Sequence, residues 1–416
     1  MRARLVVILC WAIVFAPLRA VASGDHEAVR LTLERAIALS LADNLTLRAK
    51  IQELRSVRAN EITAGLTPNP QFNYTASNLR GKKGVHGTID NQYTLQATIE
   101  TARKREKRVD LAMAGSAVTG FELDELRRQT IASVKLAFNA ILGAQAKLDL
   151  ARQNLKNFDD VERLQKLRAE KGDISELDLL RIQGQRLGFE TDASDANLAL
   201  RTSKIQFRQA VSPNTIPETF ELAGALKARS MTTPRDQLYH IAMQSRPDAA
   251  GAEASVQKSI ADLTLARAKS VPDLQPQAGF FDTHDNGKYY SAGVNVNIPI
   301  FDRNQGEIAR AQADIERFSA LREAARIQVY ADVDTALATF RIARDKFILI
   351  RDTYLAKARA ARDRLFLTYK SGAGSLLDYL DAERTYRETA KAQVNALVDL
   401  ENAFVLIETA VGGKLK

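Results

Sequence analysis

The chain has one cysteine in 416 residues, Cys10, and only four histidines. Everything after Cys10 is thereby excluded from disulfide stapling and from cysteine-based metal or redox chemistry. His26, His86, His240 and His284 lie in unrelated segments with no His-x-x-Glu-His or comparable spacing, so each reads as a surface residue. No phosphate-binding glycine loop is present. The sequence therefore predicts no cofactor, no metal site and no enzyme. Aromatic residues make up 6% of the chain, and no dense basic cluster is interleaved with them, which argues against a nucleic-acid partner. Beyond residue 22 no apolar run reaches the roughly 18 residues of a membrane-crossing helix.

At the N-terminus, Arg2 and Arg4 precede an apolar run from Leu5 to Pro17, and Ala20-Val21-Ala22 forms a small-residue cleavage pattern before Ser23. Residues 1–22 read as an export signal. Cys10 falls inside it, and Leu9 is too large for a lipoprotein cleavage site, so neither a lipid anchor nor a disulfide is expected. Removing Arg2, Arg4 and Arg19 and no acid lowers the formal charge from +9 to +6.

Proline is absent from Gln71 to Ser212 and from Ile300 to the end, and clusters near 68–70, 213–234 and 272–299. Because proline costs about 3 kcal/mol inside a helix, its absence permits very long helices in those stretches. Arg103 to Ala169 and Arg303 to Lys370 are patterned as helices of roughly 65 residues, about 100 Å each. In the second, Val329, Val333, Ala336, Phe340, Ala343, Phe347, Ile350 and Tyr354 form a heptad seam, the packing core of a coiled coil.

The chain is a duplicated object. At an offset of 200, Gly172, Ser175, Leu177, Asp178 and Leu180 match Gly372, Ser375, Leu377, Asp378 and Leu380. In each copy a glycine closes one long helical pattern and a serine opens the next, the signature of a helical hairpin. Earlier, at an offset of 204, Ala38, Asn44, Ala64 and Pro68 match Ala242, Asp248, Ala268 and Pro272. The predicted organisation is a signal peptide at 1–22, a first repeat at 23–211, a linker at 212–234 and a second repeat at 235–416. Each repeat reads as helix, strand, strand, long helix, helix.

Four segments near 70–80, 91–101, 273–283 and 289–299 change to period two. Phe72, Tyr74 and Ala76 alternate with Gln71, Asn73 and Thr75, and Tyr290, Ala292, Val294 and Val296 with Ser291, Gly293 and Asn295. Alternation alone fits two exposed hairpins on a soluble protein. A polar face of Asn, Gln, Ser and Thr together with the export signal favours strands of a membrane barrel with a wet lumen. Four strands cannot close a barrel in lipid, so several chains would share one.

Three features carry a family resemblance: Pro299-Ile300-Phe301-Asp302 after the last strand, Leu377-Asp378-Tyr379-Leu380-Asp381-Ala382 after the second tip, and the duplicated element order. The chain resembles the TolC-like outer-membrane efflux channels over nearly its whole mature length, and IPIFDRNQGEI looks most similar to the CzcC-type heavy-metal branch. The resemblance implies a mainly α fold with a small β part. A long α-helical barrel would continue from a trimeric twelve-stranded transmembrane β-barrel, four strands per chain, in the outer membrane of a Gram-negative bacterium. It implies a homotrimer working with a periplasmic adaptor protein and an inner-membrane RND-type transporter, and passing substrates, heavy-metal cations among them, passively. Asp378 and Asp381 would ring the closed periplasmic mouth, Asp178 and Tyr369 would belong to the gate, and the tips at Gly172 and Gly372 would dock the adaptor. Where the family has an arginine two residues after the tip glycine this chain has Gly374, and where it has a glycine-lysine-arginine turn this chain reads Ala102-Arg103-Lys104-Arg105. By sequence alone, Asp378 and Asp381 also fit ordinary first-turn acids that favour a helix N-terminus. The alternative function is a periplasmic coiled-coil adaptor or scaffold without a membrane barrel.

Overall fold

The computed structural model describes residues 29–77, 89–212 and 214–413. The signal peptide, Cys10, His26 and His86 lie outside the described residues.

The first repeat opens with β1 (Val29–Leu31), α1 (Leu33–Asp43) and α2 (Leu45–Ala64). Sequence periodicity predicts one continuous helix to Ala64, but the chain breaks at Asn44. The Asn44 side chain accepts from the backbone N–H groups of Thr46 and Leu47 at 2.9 and 3.2 Å, capping a new helix. The second repeat breaks in the same way between α5 (Arg235–Ser245) and α6 (Pro247–Lys269). There Pro247 occupies the first helical position, where its missing N–H is no loss. The two caps, Asn44 and Arg246, correspond at an offset of 202 rather than 204. Ala242 therefore matches Ser40, and both are buried.

Two strands follow each helix pair, β2 (Gln71–Ser77) and β3 (Asp90–Gln96) in the first repeat, β5 (Leu274–Thr283) and β6 (Gly287–Val296) in the second. They form one antiparallel sheet in the order β2-β3-β5-β6. β5 and β6 are ten residues each, as the alternation suggests, and β6 runs from Gly287 to Val296, somewhat ahead of the expected 289–299. Residues 78–80 lie outside the described part, and beyond Gln96 the chain stays joined to β5 through Ala97 N donating to Pro276 O at 3.1 Å and a bridge between Ile99 and Leu274.

The long helix α3 (Lys104–Glu170) is 67 residues and unbroken, and α4 (Glu176–Val211) returns beside it. Its entry is a turn with Ala102 and Arg103 at φ 52° and 55°, left-handed conformations that a glycine would adopt without strain. The segment expected as a linker contains β4 (Phe220–Leu222), which pairs in parallel with β1.

In the second repeat the long helix is interrupted. It runs as α7 (Gln305–Leu349), a π-helical turn (Ile350–Tyr354) and α8 (Leu355–Lys370), before α9 (Leu376–Ala410) returns. The predicted seam is buried from Val329 to Phe347, but Ile350 is only partly covered and Tyr354 is 54% exposed. Burial resumes one residue out of phase at Ala358 and Tyr369. A wide turn takes up one extra residue and rotates the rest of the helix by about 100°. The extra residue is visible between the repeats: Val134, Ile141 and Leu148 occupy the places of Val333, Phe340 and Phe347, 199 positions on, whereas the tips correspond at 200.

Helices pack in the order α4, α3, α9, α7, with α2 and α6 continuing α4 and α9 toward the sheet. Each repeat builds its own apolar core where its short first helix crosses its long helix, around Val134, Phe138 and Phe207 in one and Val333, Phe340 and Leu400 in the other.

Candidate functional site

The sheet sorts its side chains by face. Residues Tyr74, Tyr93, Phe280 and Tyr290 stand opposite one another across all four strands, with adjacent ring centroids 5.0, 6.1 and 5.4 Å apart. On the same face Phe72, Leu95, Ala278 and Ala292 form the next row toward the helices, and Val294 and Val296 continue it. Beyond the aromatic row the face turns polar, with Lys288 3.7 Å from Asp282. An apolar band edged by an aromatic row is what a lipid-facing barrel wall requires. The opposite face carries amides, with Gln96 Nε2 donating to Gln275 Oε1 at 2.7 Å and Asn295 Nδ2 to Gln277 Oε1 at 3.3 Å, and one stacked pair, Phe281 and Tyr289, with ring centroids 5.0 Å apart. Among the described residues no helix is long and apolar enough to cross a membrane.

About 100 Å from the sheet, by the length of α3, lie two helical tips. Gly172 and Gly372 have φ 79° and 78° and close identical C-terminal motifs. Asp173 N donates to Arg168 O at 2.8 Å and Gly172 N to Ala169 O at 3.0 Å; Ala373 and Gly372 do the same to Thr368 and Tyr369 at 3.1 and 3.0 Å. Ser175 and Ser375 then cap α4 and α9 by accepting from Asp178 N and Leu377 N, both at 3.1 Å.

Between the tips Tyr369 is buried. Its hydroxyl donates to Gln165 Oε1 on α3 at 2.9 Å, its ring lies parallel to that of Tyr379 on α9 at 6.1 Å, and the Arg168 guanidinium sits 5.5 Å from its centroid. Burial pushes the Tyr369 phenol above its ordinary pKa, so it remains a donor through neutral pH. Gln165 is 1% exposed, and among the described residues neither its Nε2 nor Nη1 of Arg168 has an acceptor. On α9 the exposed carboxylates of Asp378 and Asp381 share a hollow of about 370 Å³ with Ala358, Ala361, Leu365 and Thr385. Arg384 donates to Asp381 at 2.6 Å.

The model of the family described as "Outer membrane efflux protein" matches residues 36–212 and again 238–413. The chain belongs to the outer membrane efflux protein family. It resembles the cobalt-zinc-cadmium resistance protein CzcC of Cupriavidus metallidurans, with 25% identity over 92% of this chain and 90% of that protein. The pyoverdine export outer membrane protein OpmQ of Pseudomonas aeruginosa is also 25% identical, over 92% of this chain and 85% of its own length. Among solved structures the channel CusC superposes with a TM-score of 0.78 at 20% identity, over 93% of both chains, a likeness of fold. This efflux protein is an exit channel of the outer membrane that reaches into the periplasm, and it acts with an adaptor and a pump.

Within this efflux protein the residues singled out by sequence are gathered at the tips. Asp378 and Asp381 share one face of α9 as their spacing predicts. Asp178 and Tyr369 are near enough for the carboxylate to bias the phenol, yet among the described residues no hydrogen bond joins them. Asp178 accepts from Ser175 Oγ at 2.9 Å and lies 3.6 Å from Arg181. At Gly374 an added Cβ would come within 3.1 Å of Tyr369 N and 3.2 Å of Thr368, so a side chain there would start against the last turn of α8. Sequence reasoning passed over Gln165, Arg168 and Arg384. The repeat offset gave no signal for the first two, because it sets them against Leu365 and Thr368.

Proposed function

We propose that three copies of this chain form one exit duct for heavy-metal cations, closed at its periplasmic end by the tips and opened when an adaptor docks there. The observation that carries the trimer is the sheet, whose outer strands β2 and β6 each leave a row of backbone groups unpaired beside an apolar face. In lipid each unpaired group costs several kcal/mol, and only closure into a barrel removes the edge. Four strands are too few to enclose a lumen, whereas twelve from three copies suffice. The helices add a second argument. Leu180, Leu187, Leu198 and Ile205 on α4, spaced by 7, 11 and 7, are 57–70% exposed, and on α7, at the far side of the layer, Ile327 and Ile342 are 69% and 70% exposed. A neighbour's α7 laid along α4 covers both stripes.

Metal cations are the substrate class favoured by the exposed Asp378 and Asp381 pair at the tip and by the likeness to a cobalt-zinc-cadmium resistance protein. Gly172 and Gly372, with no neighbour within 4 Å of an added Cβ, leave the tips open to the adaptor. Asp178 and Tyr369 belong to the gate. The mass of the detergent-solubilised protein tests the assembly: a trimer is expected, and a folded monomer dispersed without detergent would refute it. In cells lacking the gene, loss of cobalt, zinc or cadmium tolerance is expected, and unchanged tolerance to all three would refute the substrate.

A further inference from the structure

Where the sheet meets the helices, the apolar face does not end at the last paired row. Ile298 and Ile300 follow Val294 and Val296 at every second position, and Phe301 comes next; they are 75%, 61% and 91% exposed. Directly beneath them stand the starts of α3 and α7 and the end of α6, and these carry a cluster of cations. Some are neutralised in place: Lys104 is buried against Asp273 at 2.7 Å, Arg108 is held by Glu100, and Arg103 lies 3.8 Å from Glu106. Arg105, Lys269 and Arg303 are exposed and, among the described residues, make no ion pair. Half-buried Lys107 is likewise unpaired, and the acid nearest Arg303, Asp302, is occupied in accepting from Asn304 N at 2.9 Å. Of the exposed acids close by, Glu106 faces Arg103, Glu307 on α7 is 2.9 Å from Arg310, and Asp110 lies a further turn and a half from the sheet.

An apolar rim ending in unpaired cations has the profile of a membrane–water boundary. Side chains such as Phe301 and Ile300 sit among acyl chains, and the long stems of arginine and lysine carry their charges to the headgroup level. We infer that Arg105, Lys269 and Arg303, with the exposed Ile298, Ile300 and Phe301, form a collar that binds the phosphate headgroups of anionic phospholipid in the periplasm-facing leaflet. Across three copies the collar presents nine such cations around the barrel. It fixes the height of the channel in the membrane at the joint between sheet and helices, where the buried Lys104–Asp273 pair ties α3 to the start of β5. Among the described residues of the opposite rim, Lys288 lies close to Asp282 at 3.7 Å.

The test is native mass spectrometry of the purified full-length channel in mixed micelles holding equal phosphatidylglycerol and phosphatidylcholine. Wild type should retain phosphatidylglycerol preferentially, with the preference falling as salt is raised. The triple variant Arg105→Gln, Lys269→Gln, Arg303→Gln should lose at least tenfold in that ratio, since each cation at an anionic surface contributes about fivefold. Lys288→Gln, at the other rim, should leave it unchanged. An unchanged ratio in the triple variant, no preference in wild type, or an equal loss in Lys288→Gln would each overturn the collar. The same spectra report assembly, so a trimer without lipid preference refutes the collar alone, whereas a monomer refutes the duct as well.

Discussion

Replacing Tyr369 by Phe removes one oxygen atom from the tip and tests whether the contact between α3 and α8 holds the channel shut. The hydroxyl is the donor to Gln165 Oε1 at 2.9 Å, and Gln165 is 1% exposed with its Nε2 already lacking a partner. In Tyr369→Phe the whole Gln165 amide would be buried without partners. Leaving a buried polar group unsatisfied costs about 1–3 kcal/mol, and a tip that swings away from α3 exposes that amide to water. The closed state should therefore lose about that much in each protomer, a shift toward opening of about 5- to 150-fold. Ring stacking on Tyr379 and the Arg168 contact survive the change, so folding should be little affected. Removing both ends of the hydrogen bond in Tyr369→Phe with Gln165→Leu should restore closure, because replacing both partners by apolar groups is close to neutral. Single-channel recordings in planar bilayers read the open probability directly. A Tyr369→Phe channel that opens no more often than wild type, while its melting temperature drops, would show that the bond persists in the open state and is no part of the gate.

Asp378→Ala with Asp381→Ala should lower the cation preference of the closed channel and relieve block by trivalent ions, and Asp378→Ala alone should produce most of the change because Arg384 already neutralises Asp381; unaltered selectivity would reduce both to ordinary first-turn acids. In Gly172→Phe with Gly372→Phe the new Cβ meets no atom within 4 Å and strains the left-handed backbone by only about 1–2 kcal/mol per site, so assembly should survive while metal tolerance is lost, and retained tolerance would place adaptor docking elsewhere. Arg246, 4% exposed, donates to Asp248 at 2.6 Å and to Asp332 at 2.8 Å, and Arg246→Met should cost about 3 kcal/mol by stranding them. Burial pushes the Asp248 carboxyl up, but Arg246 overcomes this and holds it below 3.8. Its contribution is thus present above pH ~4 and fades as pH falls through the depressed value, so the gap in melting temperature between wild type and variant should narrow in acid; a constant gap down to pH 3 would refute the linkage.

Much of this protein is written in period and punctuation. The absence of proline over two stretches, the repeat of Gly-x-x-Ser at an offset of 200 and the switch from period 3.6 to period 2 are local properties, because helix interiors, tips and pleated strands each restrict the residue types at fixed spacings. They determine the long helices, the two hairpin tips, the four strands and which face of each strand is apolar. The same logic places Asp378 and Asp381 together, since residues three apart on a helix share a face.

Tertiary structure decided the features that depend on the relation between distant segments. Asn44 looks like one more polar residue in a helical stripe, yet the chain turns there and its side chain caps a new helix. The seam through Phe347, Ile350 and Tyr354 is continuous in sequence, yet the π-helical turn moves burial to Ala358, because matching the second repeat to the first requires one residue to be taken up. Tyr369 finds Gln165 for the same reason. Its partner is set by the rotation of α8 against α3, a sum of packing along some 60 residues that no short spacing records.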